Sequence, residues 1–304
     1  MMSPYFKEII SSTRRGFNKK IISFSLYGDD IKYSLGAIRN VEDAKKYYPG
    51  WICRFYCSEG VENLESLSSL DCEVLVIESK IPPMYWRFFA ADDKCVDFMI
   101  SRDCDSLVNP REAAAVNEWA ESGEILHTMH DCDTQGGHQM IVMGGMWGIR
   151  RPHGIAFGKE IDLFARKKRN YSFRYGDDQT FLREVVYKRH KDSCVDHHSK
   201  PSNSKWPNSI SFPDHDPLEH GSFVGARISP FHLKKSEFIE KNKDSKKLFL
   251  MPHLGPGDHV ELNGLIYHLA KRYEELILPT KPHSNGVVDH LFGGQENIVI
   301  ERIK

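Results

Sequence analysis

The apolar positions of this chain fall into short runs separated by helix-period segments, and the alternation predicts βα units over the first half. Ile21–Leu26 reads as a strand ending at the turn Tyr27-Gly28-Asp29-Asp30, and Ser34–Tyr48 has helix character up to Pro49-Gly50. Trp51–Tyr56 is the next predicted strand, Val61–Leu70 a short helix, and Glu73–Ile77 a strand. Met84–Ala91 is predicted helical after Pro82-Pro83, and Asp97–Ile100 is a strand. Strands alternating with helices at these intervals predict a largely parallel sheet.

Further along, Arg111–Glu121 reads as a helix with Pro110 in its first turn. Leu126–Met129 and Ile141–Trp147 are strand-like, and Asp177–Tyr187 is helical. Residues 1–18 read as a polar arm or short helix. Residues 191–222, rich in Ser, Pro, Asn, His and Asp, read as a long loop or lid, because ordinary connections are shorter. Lys234–Lys247 is a charged linker or helix. Beyond it, a strand from Leu248, a helix around Val260–Tyr273 and short strands at Leu276–Leu278 and Ile298–Ile300 predict a small βαβ-like appendage. The expected organisation is an arm (1–19), a main α/β domain (20–233), and a linker with its appendage (234–304).

Composition narrows the class. The chain has 304 residues, 40% hydrophobic and 11% aromatic, enough for a sizeable core. The formal net charge of -1 gives no reason to expect nucleic acid. No apolar run approaches the roughly 18–20 residues of a membrane span. The first residues lack the apolar core of a signal peptide. Seven Cys without a CxxC pair fit reduced thiols. The expectation is a cytoplasmic protein.

The strand from Val96 to Ile100 runs into Asp103-Cys104-Asp105. Residues i and i+2 of an extended segment share a face, so the two carboxylates would stand side by side as hard oxygen ligands. Such a pair suits Mg²⁺ or Mn²⁺ carrying a diphosphate. Two more Asp-x-Asp triplets, Asp131/Asp133 and Asp214/Asp216, lie in polar loops and read as solvated turn carboxylates. Gly144-Gly145 would let a backbone or ligand approach closely, or mark a bulge. Asp177 and Asp178 open a helix, where acids also serve as ordinary caps. His127, His130, Asp131 and His138 either line a sugar or acceptor pocket or are solvated loop polarity. His190, Cys194, His197 and His198 match no standard zinc spacing. Gly255-Pro256-Gly257-Asp258 is a glycine turn or a phosphate cradle.

Several stretches together resemble GT-A glycosyltransferases, most closely those encoded by large DNA viruses of algae and related bacterial proteins. They are Trp86-Arg87-Phe88-Phe89-Ala90-Ala91-Asp92-Asp93, Ser101-Arg102-Asp103-Cys104-Asp105-Ser106, Arg111-Glu112-Ala113-Ala114-Ala115-Val116, Gly144-Gly145-Met146-Trp147-Gly148 and Tyr175-Gly176-Asp177-Asp178-Gln179-Thr180-Phe181-Leu182. The resemblance covers roughly residues 20–226. It implies a GT-A-like, Rossmann-like α/β fold with a mostly parallel twisted sheet. It also implies a metal-dependent hexosyl- or pentosyltransferase using a nucleotide sugar, usually a UDP-sugar, with a glycan or glycoprotein hydroxyl as acceptor. Mn²⁺ or Mg²⁺ would be held by Asp103, Asp105 and His197. Tyr27, Tyr33, Arg87, Asp103, Gly144 and Gly145 would face the donor, and Asp178 with Arg87 the reacting centre. If the protein is viral, its place is the host cytoplasm. The glycine turn of the tail resembles the opening of GT-B heptosyltransferases. Two other classes stay open: a DxD phosphohydrolase, and a non-catalytic module that binds a nucleotide sugar or glycan.

Overall fold

In the computed structural model the chain divides into two compact units, Met1–Leu233 and Lys234–Lys304. The structure describes residues 6–11, 16–131, 140–167, 174–202, 205–216, 223–227, 246–250, 263–271, 273–280 and 285–302. Asp133, His138 and the glycine turn 255–258 lie outside them.

The first unit is built on an eight-stranded sheet. Its strands are β1 (Phe6–Ser11), β2 (Lys19–Leu26), β3 (Trp51–Cys57), β4 (Glu73–Ile77), β5 (Val96–Arg102), β6 (Leu126–His130), β7 (Trp147–Arg150) and β8 (Cys194–His198). Their order is β1-β4-β3-β2-β5-β7-β6-β8. β4, β3, β2 and β5 run parallel, β6 and β8 pair in parallel, and β1 and β7 are antiparallel to their neighbours. β3 lies on one side of β2 and β5 on the other, so the winding reverses between β2 and β5. Open α/β sheets bind ligands outside the carboxyl ends of their strands at such a reversal.

The runs that predicted β2 to β5 are strands because both of their faces are covered. From β2, Ile21 belongs on one side to a core cluster with Trp86, Phe88 and Phe89 of a 3₁₀ helix (Pro83–Asp92) and with Phe157 and Phe181. Ile22, Phe24 and Leu26 pack on the other side with Ala37, Val41 and Trp119. That side is covered by α1 (Ile31–Tyr47), α2 (Leu64–Ser68) and α3 (Pro110–Ser122). Asn109 caps α3, its side chain accepting from Glu112 N–H, and Pro110 opens the first turn.

Three sequence expectations are corrected, and one helix is added. Residues 6–11, read as part of an arm or short helix, form an edge strand antiparallel to β4. Ile141–Trp147 is not a strand: β7 begins at Trp147, and Gly144-Gly145 lies in the loop before it. Residues 191–222 contain β8 rather than only loop. A helix not assigned from the sequence, α4 (Phe157–Lys167), buries Phe157, Ile161, Phe164 and Ala165 at helical spacing and receives its cap from a distance: Asp92 accepts from the Phe157 and Gly158 N–H groups, both at 2.7 Å. Asp177 then opens α5 (Asp177–Phe181), which continues through a π turn to His190.

The second unit is a three-stranded parallel sheet, β11-β10-β9, formed by β9 (Lys247–Phe249), β10 (Glu275–Thr280) and β11 (Ile298–Arg302). Helices α6 (Asn263–Ala270) and α7 (Asn285–Phe292) connect them, burying Ile266, Leu269, Val288 and Phe292 along with Leu276 and Leu278 of β10.

Candidate functional site

A cavity of about 640 Å³ opens at the carboxyl ends of β2 and β5, where the winding reverses. Ser25 and Tyr27 line it from the end of β2, and Asp103, Cys104 and Asp105 from the end of β5. Arg87 enters from the 3₁₀ helix, Gly144 and Gly145 from the loop before β7, Asp178 from α5, and Phe223, Gly225 and Arg227 from the segment beyond β8. Tyr33 lines it too, so eight of the nine residues that the resemblance assigns to the metal, the donor or the reacting centre converge here.

Arg87 is the centre of the site. Its guanidinium pairs with Asp103 through Nη1 and with Asp178 Oδ2 through Nη2 at 3.1 Å, and Nη1 also donates to the Arg102 carbonyl at 3.3 Å. The backbone of Arg87 is fixed by two serines of β2. Ser23 Oγ donates to the Arg87 carbonyl at 2.5 Å, and Arg87 N–H donates to Ser25 Oγ at 3.0 Å. Serine alternates with apolar residues in Ser23-Phe24-Ser25-Leu26, so the polar face of a buried strand was a visible signal for this support.

The two glycines make room for the cluster. A Cβ built on Gly144 would lie 2.6 Å from Asp178 Oδ2 and 2.7 Å from Arg87 Nη2, and one on Gly145 would lie 2.1 Å from Asp103 Oδ2. The close approach read from the sequence is therefore made by these three side chains. The glycine carbonyls are held in turn: Ser101 Oγ donates to Gly144 O at 2.8 Å and Arg102 Nη1 to Gly145 O at 2.7 Å. Arg102 is itself buried against Glu112, with Nε on Oε1 at 3.0 Å, and Tyr48 O–H donates to the same carboxylate at 2.9 Å. Asn40 of α1 ties down the loop after β5: its amide donates to the Ser106 carbonyl at 3.2 Å, and its Oδ1 accepts from Val108 N–H at 2.9 Å. Low-propensity Gly36 and Asn40, one turn apart inside α1, were the available signal for that contact.

Charge is unevenly balanced across the cavity. Asp103 has half its side chain exposed while Asp105 is nearly buried. Burial first, and then the charge of Asp103, raises the Asp105 carboxyl above its ordinary range, with Arg227 and Lys32 opposing. Asp178 is also raised, by burial first, against the pull of Arg87. Burial disfavours the Arg87 cation, but Asp103 and Asp178 more than offset it and keep the guanidinium charged. Tyr27 stands half-exposed at the mouth, edge-on to Trp86 with ring centroids 6.4 Å apart.

The paired acids fit a divalent cation in one specific way. Mg²⁺ commonly takes one or two carboxylates and completes its shell with substrate phosphates and water. Asp103 and Asp105 supply that number, their mutual repulsion favours a cation, and the cavity leaves space for phosphates. Among the described residues no group of three or more His, Cys, Asp or Glu is placed to hold a metal.

His197, expected as a third ligand, is not brought to the aspartates. It lies on β8 paired with Met129 of β6, fully buried, with Nδ1 at 2.9 Å from His127 Nε2 and Nε2 at 3.3 Å from Glu118. His127 and His130 are also fully buried in the sheet and do not line the cavity. His130 Nδ1 bonds Asp196 at 2.8 Å. His190 Nε2 bonds the His153 carbonyl at 2.9 Å. Asp131, read as a solvated turn carboxylate, is instead nearly buried, accepting two bonds from Arg111 and one from Val224 N–H. Asp214 and Asp216 are exposed.

No family model matches the chain, and no curated protein matches it. Among solved structures, the E. coli heptosyltransferase WaaC with ADP is 12% identical over 92% of this chain and 74% of its own, with a TM-score of 0.18. The same enzyme with ADP-2-deoxy-2-fluoro heptose is 11% identical over 92% and 75%, with a TM-score of 0.17.

Proposed function

We propose that this protein is a GT-A-like glycosyltransferase, transferring a sugar from a nucleotide sugar, a UDP-sugar by the sequence resemblance, to a hydroxyl of a glycan or glycoprotein. The observation that carries this reading is the convergence of Asp103, Asp105, Arg87 and Asp178 around one cavity at the strand ends where the sheet reverses. A phosphate-bearing ligand there meets a paired-acid cation site and a buried arginine. A sugar attached to that phosphate reaches the Arg87–Asp178 end.

Asp103 and Asp105 would hold Mn²⁺ or Mg²⁺ together with donor phosphate oxygens, and the cation would supply charge against which the diphosphate departs. The chain's own residues orient the reaction. Arg87 fixes Asp178 and Asp103 at a set separation, and the glycine pair admits both without a clash. As the acceptor oxygen bonds to the anomeric carbon, the bond from that carbon to the phosphate oxygen breaks. The electron pair leaves with the nucleoside diphosphate. Asp178, more basic than an ordinary aspartate, takes the acceptor's proton.

The test is a thermal-shift screen of nucleotide sugars with and without Mn²⁺, followed by assay of nucleoside diphosphate release with glycan acceptors. The expected result is a cation-dependent shift with one nucleoside family, and release that is lost in Asp105→Asn and Asp178→Asn. Turnover of a simple phosphate ester without nucleotide would replace this reading with a phosphohydrolase. Donor binding without release under any acceptor would leave a binding module.

A further inference from the structure

We propose that Arg227, carried on the segment Phe223–Arg227, is the second phosphate-binding cation of the cavity, and that Asp131 is the latch that fixes its position. The proposal rests on the glycosyltransferase reading only for the nucleoside part of the ligand; the diphosphate part follows from the segment itself.

Residues 223–227 form a short wall over the paired acids, fastened at three points. Val224 is fully buried in the core on the α1 and α3 side of the sheet. Its N–H donates to Asp131 Oδ2 at 2.8 Å. Arg227 makes an antiparallel bridge with Ser106, the residue after the second acid. Asp131 is held by Arg111, whose Nε and Nη2 reach its two oxygens at 2.8 and 2.9 Å, and Arg111 stacks over Phe212 at 4.3 Å. Gly225, at φ +83°, supplies the turn between the buried valine and the bridge.

The side chain of Arg227 contrasts with this fixed backbone: it is 76% exposed. Its Nε stands 3.9 Å from Asp105 Oδ2, too far for a hydrogen bond but close enough for charge to act. Among the described residues its one hydrogen bond is a long contact to Tyr175 O–H, 3.4 Å from Nη2. Arg87 on the opposite wall is buried, its two Nη groups are committed to carboxylates, and its remaining donor, Nε, is buried without a partner, so it offers little to an incoming anion. Arg227 is the cavity arginine whose donors are exposed, and a planar guanidinium matches phosphate geometry. A cation held by Asp103 and Asp105 would weaken the attraction of Asp105 for Arg227 and leave the exposed guanidinium available to phosphate oxygens. Before the ligand arrives, Arg227 acts as a placeholder charge for Asp105.

The experiment is calorimetric titration of the full chain with UDP, ADP and inorganic pyrophosphate, each with Mg²⁺. It compares wild type with Arg227→Gln, Arg227→Lys, Asp131→Asn and Arg183→Gln, an exposed arginine away from the cavity. Arg227→Gln should weaken pyrophosphate and nucleotide alike by about tenfold or more, the factor carried by a charge-assisted hydrogen bond. Arg227→Lys should recover part of the loss, and Arg183→Gln should bind as wild type. Asp131→Asn should weaken binding in the same direction while speeding amide exchange at Val224. Wild-type affinity in Arg227→Gln overturns the assignment while leaving the transferase reading intact. Arg227-dependent binding of pyrophosphate without any nucleotide binding supports the assignment and removes the transferase reading. No binding of any of the three overturns both.

Discussion

Gly36 of α1 rests directly on the carbonyl of Cys104, the residue between the two cavity acids: a Cβ built on Gly36 would lie 2.0 Å from that oxygen. The contact is with backbone, which cannot swing aside as a side chain can. The helix thereby sets the height of the Asp103-Cys104-Asp105 segment, and Asn40 one turn later holds the residues that follow.

Gly36→Ala is consequently expected to destabilise the protein, although alanine is worth about 1 kcal/mol more than glycine inside a helix. Forcing α1 away from the sheet costs about 1–3 kcal/mol by overpacking, which exceeds that gain. Denaturant unfolding of the variant should show a lower midpoint. Equal or higher stability would mean that α1 does not rest on Cys104.

Gly145→Ala should behave differently. The methyl group would meet Oδ2 and Cγ of Asp103, which can swing away only by leaving Arg87, and the Asp103 backbone nitrogen at 3.1 Å, which must give by a few tenths of an ångström, so stability should fall by about 1 kcal/mol, less than for Gly36→Ala. Cation-dependent nucleotide binding should nevertheless fall about tenfold or more, because Asp103 leaves its place beside Asp105. Paired stability and binding measurements separate the two glycine positions.

The buried Arg102–Glu112 pair is expected to be structural. Glu112→Ala leaves an uncompensated guanidinium behind Gly145 and should cost about 3–5 kcal/mol. Replacing both partners with apolar residues of similar size should recover much of that loss. It should not recover ligand affinity, since the Gly145 carbonyl loses its donor. A double-mutant cycle on unfolding and on binding distinguishes the two effects.

Acid sensitivity should have a contribution traceable to His153. Its Nδ1 accepts from Ile155 N–H at 3.2 Å and its Nε2–H donates to the Ala91 carbonyl at 3.1 Å, so the neutral ring uses both nitrogens. Burial foremost, with Arg151 adding to it, pushes its pKa down to about 4 from 6.5, against the support of Ala91. With the folded value depressed, the unfolded chain takes up the proton first. Stability is complete above pH 6.5 and is lost as pH falls toward 4, with an upper bound of about 3 kcal/mol. In His153→Asn that part of the slope should disappear. An unchanged slope would show that the ring titrates equally in both states.

Cation binding should also weaken on acidification earlier than ordinary aspartates would require. Asp105 is raised above the usual carboxylate range, so its proton competes with a cation at higher pH. Carboxyl NMR titration of Asp105 in the ligand-free protein should place its pKa higher in the wild type than in Asp103→Asn, since the charge of Asp103 contributes to the shift. Equal values in the two proteins would assign the shift to burial alone.

What could be read along the chain was what local covering enforces. The strands β2 to β5 are legible because both faces are buried, so each carries a short run of apolar residues, and the paired acids are legible because such a run leads up to them. β8 was hidden because Cys194-Val195-Asp196-His197-His198 looks soluble; its histidines are buried by bonding partners on β6 and α3, far away in sequence. α4 shows its period locally, in Phe157, Ile161, Phe164 and Ala165, but its start was not legible because its cap, Asp92, comes from another element. β7 was misplaced because the apolar residues before it pack from a loop.

The sequence by itself determined which segments form the parallel core and that two carboxylates stand at its edge, since period and polarity act over neighbouring residues. Only the tertiary structure decided which charges share the cavity: Arg87 between Asp103 and Asp178, Arg227 beside Asp105, and His197 elsewhere. Those pairings join residues up to 122 positions apart. They exist because sheet order, not chain order, sets which strand ends meet.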